Sequence, residues 1–139
     1  MVPQHTTAID LPPPGEAELL GRLLSLYDEE ARVYARVLEL SQRQGEAVRR
    51  GAPFAEIRRL LEQKKGCLEL IARLERGEAG SKREWESRRS SMSPAGRARL
   101  RASLDRVGGL IEGIITCEEQ NDRELLSVTG VSGPRASWN

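Results

Sequence analysis

Aromatic residues are scarce in this 139-residue chain, at 4% of positions, and histidine occurs once, as His5. So few rings disfavour a β-sandwich core and suit helices built from Leu, Ala, Glu and Arg. With its one histidine in a proline-rich N-terminal stretch, the chain offers no nucleophile–base pair. The phosphate-loop, dinucleotide-binding and H-E-x-x-H patterns are all missing. Two cysteines, Cys67 and Cys117, fit neither a disulfide framework nor a zinc-ligand spacing. No catalysis, cofactor or metal site is therefore expected. No apolar run approaches the ~20 residues of a membrane span, and the first residues lack the basic start and apolar core of a signal peptide. Cytoplasm is the expected location. The formal net charge of +1 leaves no global field pointing to nucleic acid or membrane.

Helical periodicity is what the chain has in abundance. Residues 93–127 read as the element around which the rest is organised. Ser93 is a good N-cap and Pro94 suits the first helical position. Leu100, Leu104, Val107, Ile111, Ile114, Asn121 and Leu125 follow at steps of three, four or seven, one face of a helix. The apolar arc widens in the second half. Leu110 and Cys117 lie on one shoulder, Ile115 and Leu126 on the other. The arc is then about 160–180° wide, against the ~100° that one core contact needs. The surplus is read as a surface for a partner.

Upstream, residues 1–15 read as a disordered or polyproline-like tail. Residues 16–50 form the first helix, with a stripe of Leu20, Leu24, Tyr27, Ala31, Tyr34, Leu38, Ser41, Gly45 and Val48. Gly51-Ala52-Pro53 stops it. A second helix over 54–76 carries Ile57, Leu60, Leu61, Lys64, Cys67, Leu68, Ile71 and Leu74. Gly77 and Gly80 then weaken the pattern, so 77–91 is either a kinked continuation or a short separate helix, with Trp85 its one large apolar residue. Residues 129–139 read as a second loose tail. The expected fold is all-α: an up-down-up antiparallel three-helix bundle, in effect a helical hairpin with a long C-terminal helix, forming a single domain over 16–128. Short connections make successive helices antiparallel neighbours.

Antiparallel pairing across the two turns sets Ser41 level with Lys64, and Lys64 level with Asn121. Glu118 lies one turn before Asn121 on the same side. Ser41, Lys64, Glu118 and Asn121 are thus candidates for one polar layer that fixes register. The alternative is that Lys64 buries only its stem and sends its ammonium to water. Between Lys82 and Arg106 basic residues outnumber acidic ones around Trp85. Such a run is ordinarily a solvated face around a turn, though it could contact nucleic acid. Gly108, Gly109 and Gly113 interrupt the last helix, as a tolerated kink or as a seam that shifts when a partner binds.

Several stretches together resemble the FlgN family of flagellar type III export chaperones over about residues 16–128. They are AVRRGAPFAEIRRLLEQKKGCLELIARLE (47–75), KREWESRR (82–89), SPAGRARLRASL (93–104) and GLIEGIITCEEQNDRELL (109–126). The most telling residues are Leu60, Lys64 and Cys67-Leu68, then Trp85 with Arg88, then Asn121 with Leu125 and Leu126. Cys117 and Glu118 stand where a second asparagine would be expected. The resemblance implies a cytoplasmic chaperone that binds the C-terminal amphipathic helices of hook–filament junction proteins and delivers them to the export gate. Client binding is then expected at Leu110, Ile115, Cys117, Asn121, Leu125 and Leu126. Alternatives are another helical secretion chaperone or coiled-coil adaptor, a self-associating bundle, or a small nucleic-acid-binding bundle using 82–106.

Overall fold

A computed structural model describes residues 12–129, with side chains through Ser127. It contains four α-helices, α1 (Glu16–Arg49), α2 (Phe54–Gly77), α3 (Ala79–Arg88) and α4 (Pro94–Thr129), and a 3₁₀ turn over Arg89–Ser91. There is no strand among the described residues, and no helix is long and apolar enough to cross a membrane. The expected tails at 1–11 and 130–139 lie outside the described residues.

The helix boundaries follow from local chemistry. Gly51 adopts φ 67°, and the amides of Ala52 and Gly51 bond the carbonyls of Ala47 and Val48 at 2.9 and 3.1 Å. This glycine-closed cap satisfies the orphan carbonyls of α1, and Pro53 prevents the helix from resuming. Between α2 and α3 the chain breaks at Glu78 alone (φ −112°, ψ 17°), so the glycine-weakened segment is a separate short helix. At the start of α4, Ser93 Oγ accepts the Gly96 amide at 3.0 Å, a side-chain N-cap. Buried Glu16 from α1 reinforces that cap. Its Oε1 accepts the Ser93 amide at 2.7 Å and its Oε2 the Ser93 hydroxyl at 2.5 Å. A carboxylate at the positive end of a helix is well placed electrostatically. α4 runs unbroken through Gly108, Gly109 and Gly113, so those glycines make no kink that ends the helix.

The element that organises the fold is α1, not α4. Every other helix packs against it, whereas α2 and α4 approach each other little. The physical reason is a second apolar seam on α1, formed by Leu19, Leu23, Leu26, Val37, Leu40 and Ala47 and broken by buried Glu30 and Gln44. This seam lies beside the stripe read from the sequence. The main core joins Leu19, Leu20, Leu23 and Leu26 to Trp85 of α3, Met92, and Leu100 and Val107 of α4. A smaller cluster joins Leu40 and Ala47 to Leu60 of α2. Each fully buried Leu or Val contributes roughly 1.5–3 kcal/mol relative to exposure.

Candidate functional site

Where α1, α2 and α4 come together, buried polar groups replace the apolar seam. Lys64 of α2, only 6% exposed, donates to Gln44 of α1 at 2.8 Å and forms an ion pair with Glu118 of α4. Asn121, 2% exposed, donates to the main-chain carbonyl of Ser41 at 2.8 Å and to Glu118 Oε1 at 3.4 Å. The structure therefore brings together Ser41, Lys64, Glu118 and Asn121. Lys64 turns its ammonium inward to protein partners. Ser41 contributes its carbonyl; its buried hydroxyl has no hydrogen-bond partner among the described residues. One participant was missed in the sequence, and the part played by a second, Gly45 of the stripe, was not read from it. Gln44 belongs to the seam Leu40–Gln44–Ala47, whose four-then-three spacing could have revealed it. Gly45 gives Asn121 room, since a Cβ there would stand 2.5 Å from Asn121 Oδ1.

The residues expected to meet a client do not share one surface. Ile115 is 53% exposed and Leu125 36% exposed. Leu110, expected on an open shoulder, instead packs against the main core, because α1 is wide enough to take both it and Ile111. Asn121 is corrected from a client contact to a buried tie, since its amide is already engaged by Ser41 and Glu118. Cys117 lies on the other flank of α4, in a cleft of about 870 Å³ shared with Leu38 and Gln42 of α1. Burial and then the Glu118 charge push its thiol above the usual range, which favours the protonated form. Leu126 is half-buried. Cys67 and Cys117 are both free; Cys67 packs on the Leu40–Ala47–Leu60 cluster.

Beside the Lys64–Glu118 bridge, α2 and α4 approach each other little and each carries exposed aliphatic side chains. Leu68, four residues after Lys64, is 49% exposed, and Ile115 lies three residues before Glu118. In antiparallel helices those steps run in the same direction, so the two side chains stand on opposite walls one turn from the bridge. α1 packs against both helices and lies between them, with exposed aliphatic groups on either side. Geometrically this suits an amphipathic helix laid alongside α4. Compared with protein-family models, curated proteins and solved structures, the chain finds no match. Fold and site together define an all-α bundle with a buried polar layer toward one end and exposed aliphatic side chains beside it.

Proposed function

We propose that this protein is a cytoplasmic, non-enzymatic export chaperone of the FlgN type, which holds the C-terminal amphipathic helix of a hook–filament junction protein until export. The observation that carries the reading is the pair of exposed walls, Leu68 on α2 and Ile115 with Leu125 on α4, flanking the Lys64–Glu118 bridge. Large aliphatic side chains left this open in a small bundle are best explained by a partner that covers them. A helix carrying anchors at i, i+3 or i+4, and i+7 would bury them, and the polar layer would hold the two walls at fixed separation. Sequestering the client's apolar face keeps it from assembling early.

The test is a titration of the full chain with a peptide of a junction protein's C-terminal helix, beside the double variant Ile115→Ser and Leu125→Ser. Both positions are open to solvent, so circular dichroism should be unchanged. Affinity should fall tenfold or more, which corresponds to ~1.4 kcal/mol. Equal affinity in the folded variant would overturn the assignment of this surface to the client.

A further inference from the structure

A second cleft, of about 520 Å³, opens at another part of the bundle, where α3 and the 3₁₀ turn lie against the first turns of α4. Its size is within the ~300–1,000 Å³ of small-ligand sites. Its floor is apolar, made by Leu23 and Tyr27 of α1, Trp85 of α3, and Leu100 and Leu104 of α4. Its rim is basic. Lys82, Arg89, Arg97 and Arg101 line it against one carboxylate, Glu86. These cations come from three separate elements within the basic stretch between Lys82 and Arg106, and the fold turns them onto one cleft. Lys82 is engaged by Glu75, and Arg89 is held by Glu86 at 3.2 Å across a well-exposed pair. Arg97 reaches back to the carbonyl of Arg89 at 3.3 Å, which brings two guanidinium-bearing residues to one edge. Arg101, one turn further along α4, has no ion-pair partner among the described residues.

We propose that this cleft binds a short acidic peptide segment that carries an aliphatic anchor. The anchor would enter between Leu100 and Leu104, and carboxylates on either side would meet Arg89 and Arg101, whose planar forks suit carboxylate geometry. Charge complementarity selects the acidic partner. The apolar floor selects a peptide over a bare anion. Nucleic acid is disfavoured because the two aromatics that line the cleft, Tyr27 and Trp85, are only 8% and 6% exposed, too deep to offer an open face for base stacking. The cleft is independent of the client surface. Leu104 and Ile115 are eleven residues apart on α4, ~16 Å along the axis at 1.5 Å per residue.

The experiment uses the full chain and fluorescein-labelled dodecapeptides, read by anisotropy. One peptide has two leucines four apart among Asp and Glu; a control replaces every acid by Lys; another replaces both leucines by Ser. The acidic leucine peptide should bind saturably, at least tenfold more tightly than either control, and should weaken as salt rises from about 50 to 300 mM. Arg89→Glu with Arg101→Glu should weaken it tenfold or more and leave the junction-helix titration unchanged. Should that pair disturb the fold, Arg89→Gln with Arg101→Gln should still weaken it severalfold. Ile115→Ser with Leu125→Ser should leave acidic-peptide binding as it was, so failure of one site is distinguishable from failure of the other. Absence of saturable binding, equal binding of the lysine peptide, an unchanged affinity in the folded arginine variants, or displacement by a single-stranded oligonucleotide at lower concentration than by unlabelled peptide would each overturn the proposal.

Discussion

Glu30 is buried in the seam of α1, facing Glu75 of α2 and Lys82 of α3, with Tyr27 and Tyr34 on its own helix nearby. Burial, then a hydrogen bond to Glu75 and the charge on that carboxylate, push Glu30 up to about 8. The same hydrogen bond, together with Lys82, holds Glu75 below the usual carboxylate range. Near neutral pH the pair thus shares one proton, and Lys82 pairs with Glu75. The sign of the pH effect follows. Below the ordinary value of 4.5, Glu30 is protonated in both folded and unfolded chains, and its contribution is fully present. As pH rises from there, the unfolded chain gives up this proton while the folded chain keeps it. Stability is lost until the folded value near 8 is passed. Glu75 acts in the opposite direction, losing its contribution as pH falls through its lowered value. Glu30→Gln keeps a donor to Glu75 and removes the titration. Urea midpoints measured from about pH 5 to pH 8 should decline in the parent chain and stay flatter in Glu30→Gln. Parallel curves would place the proton elsewhere.

At the scale of elements, two glycines separate backbone propensity from packing. Gly66, in the middle of α2, has open space where a Cβ would stand, so Gly66→Ala should stabilise the chain by about 0.5–1 kcal/mol. Gly45, in α1, would gain the same propensity, but its Cβ would press on the buried Asn121 amide. Crowding of that kind costs roughly 1–3 kcal/mol. Gly45→Ala should therefore lower the melting temperature while Gly66→Ala raises it by a few degrees. A rise in both would mean that Asn121 moves aside at no cost and that the polar layer is loosely held. Sequence periodicity put Gly45 on the inner stripe of its helix and left Gly66 off the stripe of the next, but did not say what either glycine would meet. What differs is that a second helix passes close to one of them.

At the scale of the molecule, α1 carries the load from both sides. Leu40 is fully buried there, so Leu40→Ala should cost about 3–5 kcal/mol. Ile111 and Ile114 of α4, read from the stripe as core, are only half-buried, because α2 does not close over that flank of α4. Alanine at Ile114 should cost less than about 2 kcal/mol. Denaturant unfolding of the two variants checks the order. If Ile114→Ala proved the more damaging, α4 and not α1 would be the organising element.

The helices themselves were legible in the amino-acid order. Their start and stop signals are local: Ser93-Pro94 at one end, Gly51-Ala52-Pro53 at another, with repeats of three and four residues between them. The level placement of Ser41, Lys64 and Asn121 was legible too, because two short turns leave antiparallel helices little freedom of register. Which flank of each helix meets protein and which stays open was not. A stripe wider than one contact needs says that two surfaces exist, but not which neighbour takes which. That was decided by α1 lying between α2 and α4. The same placement half-buries Leu110 against the core, sends Cys117 to the far flank, engages Asn121 and leaves Ile115 in the open. The basic cleft is of the same kind. The basic stretch that holds Arg89, Arg97 and Arg101 was legible, but the apolar floor beneath it, with Leu23 of α1, is assembled only by the fold.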